Sequence, residues 1–137
     1  MIQAFRLEIT TPTGRVYSKA VDMVTLPGLE GEMGILPQHA PLITLLGDGE
    51  ILARRGDHED HLLVTGGCAE ITPERVAVLT VFATPEDAID EDKAKAARAR
   101  AEARLKEKIS PEEVALVQAS LTHSLAQLRI KHRRPQP

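Results

Sequence analysis

Val81-Phe82-Ala83-Thr84-Pro85-Glu86-Asp87-Ala88-Ile89-Asp90-Glu91-Asp92-Lys93-Ala94 is the stretch in which the chain changes grammar. The 137-residue sequence keeps all nine glycines upstream of it, between Gly14 and Gly67, and six of its nine prolines before residue 86. Downstream, glycine is absent and alanine is the commonest residue. Glycine and proline punctuate turns, whereas alanine is the strongest helix former. The stretch therefore predicts a boundary near Thr84-Pro85-Glu86, with a β domain over residues 1–84 and a helical region over 85–137.

Working back from the boundary, short apolar runs alternate with turn chemistry. Phe5, Leu7 and Ile9 alternate with Arg6, Glu8 and Thr10, the period of a half-buried strand. Pro12-Thr13-Gly14 follows as a turn. Further strands are predicted at Met23 to Leu26, Leu42 to Leu46, Glu50 to Arg54, Leu62 to Val64, Ala69 to Ile71 and Val76 to Phe82. Many short strands at this spacing, uninterrupted by a long helix, predict an antiparallel sandwich or flattened barrel rather than a parallel α/β sheet.

Working forward, two helices are predicted. In the first, Ala94, Ala97, Ala101, Leu105 and Ile109 fall on one face. Asp90, Glu91 and Asp92 crowd its start and Arg104, Lys106 and Lys108 its end, as the helix dipole favours. Ser110, Pro111 and Glu113 form a capping-box start for the second. Its predicted stripe is Val114, Val117, Leu121, Leu125 and Leu128, ahead of Lys131, His132, Arg133, Arg134 and Pro135. A connection of about two to four residues predicts an antiparallel hairpin. Three of the first helix's five stripe residues are alanine. A buried methyl contributes about 0.8 kcal/mol against about 1.5–3 for a buried leucine. The first helix should form readily but hold other surfaces weakly.

Composition narrows the function. Net charge is −3. Residues 1–84 hold 6 Lys/Arg against 11 Asp/Glu, and residues 85–137 hold 11 against 9. The aromatics are Phe5, Tyr17 and Phe82 alone, too few to stack bases, which argues against nucleic-acid binding. No apolar run approaches the roughly 20 residues of a membrane span, and the start lacks a signal-peptide layout. Cys68 is the single cysteine, so neither an internal disulfide nor a multi-cysteine zinc site is available. With no oriented histidine in any motif, Cys68 reads as a small core residue. His58 and His61, three apart on a strand, would point to opposite faces and chelate poorly, so they read as part of a solvated hairpin loop. The glycines from Pro27 to Gly34 match no phosphate-binding pattern and read as a tight surface loop. Composition and spacing indicate a β domain and a helical hairpin without a catalytic constellation.

That glycine-rich segment is nevertheless the most distinctive. Gly28-Leu29-Glu30-Gly31-Glu32-Met33-Gly34-Ile35-Leu36-Pro37-Gln38-His39-Ala40-Pro41-Leu42 resembles the signature of the epsilon subunits of F-type ATP synthases, approximately G-x-E-G-x-x-G-I-x-P-x-H-A-P-L. Thr65-Gly66-Gly67-Cys68-Ala69-Glu70-Ile71 is similar to the family's S-G-G-x-x-E-V, and Ala126-Gln127-Leu128-Arg129-Ile130 matches its last helix. The similarities follow the family's order along essentially the whole chain.

The resemblance implies a flattened sandwich of about ten antiparallel strands followed by two helices. It implies a non-catalytic rotor subunit at the foot of the central stalk of a proton-translocating synthase. Such a subunit binds gamma, rests on the c-ring and reaches the membrane, on its cytoplasmic side, only through the complex. The family's c-ring contact maps to Glu30, Gly31, Glu32 and His39. Its helices lie against the sandwich or extend toward the alpha/beta catalytic hexamer, where they hinder ATP hydrolysis. Arg129, Lys131, Arg133 and Arg134 match the basic groups that meet beta there. Some members bind ATP through a motif resembling [IL]-D-x-x-R-A. Here Ile89-Asp90-Glu91-Asp92-Lys93-Ala94 carries lysine in the arginine position, and His123 and Gln127 replace two further arginines. Asp90, Lys93 and Arg100 are the remaining nucleotide candidates. Lysine lacks arginine's planar, multi-donor contact, so ATP binding is expected to be weak or absent.

Overall fold

Strand β1 (Phe5–Thr11) sets the pattern for the first half of the chain: Phe5, Leu7 and Ile9 are buried and Arg6 is exposed. The computed structural model describes residues 4–133, without the side chain of Arg133. It divides into two units, Met1–Pro85 and Glu86–Pro137.

The first unit continues through β2 (Gly14–Val21), β3 (Met23–Gly28), β4 (Gly31–Ile35), β5 (Leu42–Leu46) and β6 (Gly49–Arg55). It is completed by β7 (His58–Thr65), β8 (Gly67–Ile71), β9 (Arg75–Leu79) and β10 (Phe82–Pro85). Nine strands follow the order β10-β7-β6-β3-β5-β8-β9-β1-β2, and β4 pairs with β3. The sheet is sandwich-like, because its strands share one core. That core holds Leu7, Ile9, Val24, Leu26, Ile35, Ile51, Leu62, Ile71, Val76 and Val78, among others.

Four strand expectations are corrected. The strands are not all antiparallel: β1 and β9 run parallel, in register from Arg6↔Arg75 to Thr10↔Leu79. A parallel pair needs a long crossover, and the intervening strands supply it. β2 follows the predicted turn at Pro12-Thr13 in a segment where no strand is predicted, and β4 replaces predicted loop. β2 lies at the sheet's end and shows no clean alternation of burial, while β4 carries two glycines, so neither has a legible period. The apolar run from Val76 to Phe82 is two strands, not one. Between them, buried Thr80 donates its hydroxyl to the Thr65 carbonyl at 3.1 Å. There the chain leaves β9, which pairs with β1 and β8, for β10, which pairs with β7. Finally, His58 to His61 belong to β7 rather than to a loop. The turn is Gly56-Asp57 alone, closed by the pair Arg55↔His58, with Gly56 at φ 58.

The second unit begins with a 3₁₀ turn, Glu86–Ala88, and contains α1 (Glu91–Leu105) and α2 (Pro111–Arg133). Asp90 caps α1, its carboxylate accepting the Lys93 amide at 3.1 Å. Ser110 caps α2, its hydroxyl accepting the Glu113 amide at 3.2 Å. The capping box is half formed, because the Glu113 carboxylate turns instead to Arg104, accepting from Nη2 at 2.6 and 3.0 Å. Arg104 also pairs with Glu107. Its hydrogen bonds to Glu113, then that to Glu107, hold the guanidinium's pKa above its ordinary value. At the far end, His132 Nε2 lies 3.7 Å from Glu91 Oε1. Contacts at both ends, start to finish, fix the antiparallel pairing of α1 and α2.

The stripe on α1 is observed for Ala94 and Ala101, which are buried, and for Ala97 and Leu105, which are partly so, but α1 ends at Leu105, so Ile109, expected as its fifth member, is a half-buried residue of the connection. The stripe on α2 shifts phase. Leu125 is exposed, while His123, Ser124, Leu128 and Ile130 are buried. Ser124 tolerates burial because its hydroxyl donates to the Ser120 carbonyl of its own helix at 3.0 Å.

Candidate interaction site

Strands β3 and β4 form a hairpin whose two-residue tip, Leu29-Glu30, is closed by the pair Gly28↔Gly31. Gly31 stands at φ 135, which a residue with a β carbon rarely adopts. Gly28 is required for space: a β carbon there would lie 2.7 Å from the Gly31 carbonyl oxygen. The segment read as a surface loop is therefore an ordered hairpin. Its tip presents Leu29, Glu30, Gly31 and Glu32, all exposed.

His39 does not join them. It follows β4, and the four residue steps from Gly31 to Ile35 carry the chain about 13 Å from the tip. Its segment is tied elsewhere, since the Gln38 amide donates to the Pro73 carbonyl at 3.1 Å, with Gln38 held at φ 65. His39 Nδ1 lies 2.6 Å from the Ala40 carbonyl oxygen.

Beside the tip runs β5, apolar but for Thr44, of which Leu46 alone is buried. Ile43 is 75% and Leu45 61% exposed. Both line, with Leu29, Glu30 and Glu32, a cleft of about 540 Å³ at the tip. Register extends the apolar surface across the sheet, because Leu45 faces Cys68 and Cys68 faces Leu79, itself 56% exposed. Cys68 is thus a half-buried member of this outward row, not a core residue. Leu79 in turn lines a second, mostly apolar groove of about 390 Å³ with Thr10, Pro12, Gly67 and Val81. An acidic tip beside an apolar band is the chemistry of a docking surface. Sequence reasoning missed the band because a five-residue, mostly apolar run looks the same whether one face or two are covered.

His58 and His61 pair on β7 with different carboxylates. His58 Nε2 lies 2.9 Å from Asp60 Oδ1, and His61 Nε2 lies 3.5 Å from Glu59 Oε2.

Two family profiles cover the chain. The β-sandwich domain of the ATP synthase Delta/Epsilon chain matches residues 4–86, and its long α-helix domain matches residues 87–131. The chain belongs to the ATP synthase Delta/Epsilon chain family. It is 42% identical over 130 residues to the ATP synthase epsilon chain of Dehalococcoides mccartyi strain BAV1, covering 94% of this chain and 93% of that one. It is 41% identical over 130 residues to the epsilon chain of Syntrophobacter fumaroxidans, covering 95% and 97%. Its fold matches a chain in the cryo-EM structure of the Euglena gracilis mitochondrial ATP synthase, OSCP/F1/c-ring in rotational state 1. That match has a TM-score of 0.65 and 25% identity, over 96% of this chain and 82% of that one. As a Delta/Epsilon chain it is a stalk subunit of a membrane-associated synthase, not the catalytic one. No helix among its described residues is long and apolar enough to cross a membrane.

The residues that the Delta/Epsilon resemblance singles out in the helices are spread along the hairpin. Arg129 is exposed near the end of α2 and Lys131 is half-buried, while the Arg133 side chain and all of Arg134 lie outside the described residues. Of the nucleotide candidates, Asp90 spends its carboxylate on the α1 cap. Lys93 and Arg100 are exposed on α1, two turns apart. His123 is 6% exposed and Gln127 half-buried.

Proposed function

We propose that this chain is a rotor subunit that joins the c-ring to gamma through its sandwich and restrains ATP hydrolysis through its helices. In this reading residues 1–84 dock and residues 85–137 regulate. The observation that carries it is the outward row Leu45, Cys68 and Leu79, continuous with the hairpin tip. An apolar band of this kind is costly to leave in water and is explained by a permanent partner. The band takes gamma, and the polar tip takes the ring through Glu30, Gly31 and Glu32. His39, at the other end of β4, supports the segment that leads into β5. The complex holds the chain at the cytoplasmic face of the membrane.

Leu45→Glu tests the docking face, because a carboxylate in the band cannot be desolvated cheaply. The variant should fold but fail to co-purify with gamma. Undiminished co-purification would exclude the band as the gamma surface. For the helices, Arg129, Lys131, Arg133 and Arg134 are the contacts to beta in an extended hairpin. Truncation after Thr84 should raise ATP hydrolysis by the assembled complex, and unchanged hydrolysis would remove the regulatory role while leaving the docking role.

The nucleotide set fits ATP poorly. Lysine replaces the forked donor, His123 is buried and Asp90 is committed to its cap. Titration calorimetry on the isolated chain should detect no affinity tighter than millimolar, and a tighter value would overturn this point.

A further inference from the structure

The strand order leaves β2 at the end of the sheet, where it is paired to β1. Its other side lies against β6. Among the described residues, no strand pairing joins β2 to β6 or β7. Side chains close this seam. Tyr17 Oη donates to Asp60 Oδ2 at 2.7 Å, joining β2 to β7 across 43 residues of chain. Lys19 Nζ donates to the same oxygen at 3.3 Å, and His58 Nε2 lies 2.9 Å from Oδ1. The Lys19 ammonium also stands 5.4 Å from the centre of the Tyr17 ring, while that ring packs against the core.

The arrangement concentrates a charge at a place where the backbone offers no ladder. The Asp60 side chain is only 23% exposed, so its carboxylate would be costly without partners. Burial pushes the Asp60 pKa up, but hydrogen bonds from Tyr17, His58 and Lys19, with the charge of Lys19, outweigh it and hold the value below the ordinary one. Burial, then the bond to Asp60 and its charge, push the Tyr17 phenol up. Both shifts mark one donor and one acceptor locked in their neutral and charged forms. Because the folded pKa of Asp60 is depressed, its contribution is present at neutral pH and fades as the pH falls through that lowered value.

We propose that Asp60 is the centre of a clasp that shuts β2 against the β6–β7 hairpin, and that β2 opens as a separate unit when the clasp is broken. An open β2 would uncover the core beneath Tyr17 and free a strand edge able to pair with another chain. The closed clasp is then a guard on an end of the sheet that side chains, rather than a backbone ladder, hold shut.

Amide hydrogen exchange on the full chain tests this, using Tyr17→Phe, Asp60→Ala and the double variant. Tyr17→Phe keeps the ring in the core and removes the donor, so the fold should survive even if Asp60→Ala proves harder to prepare. Each single variant should speed exchange in β2 about ten- to hundredfold, the worth of a hydrogen bond to a charged group. Amides of β5 and β8 should not change, and the double variant should be no faster than the faster single. Unchanged protection of β2 in Tyr17→Phe would overturn the proposal. So would a uniform loss across every strand, or effects of the two substitutions that simply multiply.

Discussion

The sandwich buries Leu7, Ile9, Leu26, Ile35, Ile51, Leu62 and Ile71 almost completely, whereas the buried side chains among the described residues of α1 and α2 are Ala94, Ala101, His123, Ser124, Leu128 and Ile130, with Glu86 and Ile89 buried ahead of α1. The first set is large and branched, and each member contributes about 1.5–3 kcal/mol on burial. The second includes two alanines and two polar side chains, which contribute far less or must first satisfy their own hydrogen bonds. Specificity in the hairpin comes from its ends instead, through the Asp90 and Ser110 caps and the pairs Arg104–Glu113 and His132–Glu91. One region is fixed by what it encloses and the other by how its segments start and stop. Under the proposed function, a scaffold that carries load would use the first design, and an element that changes partners while staying helical would use the second.

The sharpest way to break the comparison lies in the sandwich. Gly67 opens β8 at φ 116, and a β carbon there would stand 2.0 Å from the Leu79 carbonyl oxygen. Gly67→Ala combines a disfavoured backbone angle with a clash against main chain, and should cost about 4 kcal/mol. Urea unfolding should show the loss, and a cost under about 1 kcal/mol would mean that β8 and β9 are not rigidly docked. Next in size is a matched pair. Leu26→Ala should cost about 3 kcal/mol, since its neighbours are too tightly packed to fill the hole. Leu128→Ala should cost about half that, because a hairpin with alanine on its inner face can close over the gap. Equal costs in denaturant titrations would erase the distinction between the two regions.

How much of this was legible follows the same line. The strand at Phe5 to Thr10 and both helix starts could be read from the residues, because period and caps are local properties of sequence. β2 and β4 could not. Arg15, Val16 and Lys19 of an end strand and the glycines of β4 carry no alternation, and these strands exist because β1 and β3 offer them a ladder. The phase shift in α2 was hidden for another reason. A leucine at 125 looks internal and a serine at 124 external, unless the bond from Ser124 to Ser120 is known. At the candidate site, the glycine-rich signature was legible as a pattern, but its meaning as a hairpin tip became physical only with the Gly28↔Gly31 closure. The apolar band needed register, which no single strand contains.

Smaller effects sharpen the hairpin's half of the comparison. Ser110→Ala removes the oxygen that accepts the Glu113 amide, and should cost about 1 kcal/mol. The loss should appear as fraying of α2's first turn, read by amide exchange, with the sandwich unaffected. A loss spread evenly over both units would show that the caps matter no more to the hairpin than to the rest of the chain.

Arg104→Ala is expected to be the mildest change, although Arg104, at the end of α1, makes three hydrogen bonds across the hairpin's connection. Its guanidinium bridges Glu107 and Glu113, but Arg104 and Glu107 are exposed and Glu113 partly so, and water replaces a lost partner readily there. The melting temperature should therefore hold while exchange quickens at residues 106–114, because the bridge restricts the turn more than it stabilises the fold. Arg104→Lys should fall between the two, keeping the charge and losing the two-pronged contact to Glu113. If Arg104→Ala instead lowered the helical signal at 222 nm throughout, the hairpin would owe its integrity to one exposed ion cluster. The division between a region held by its core and one held by its ends would then be stronger than the buried residues alone imply.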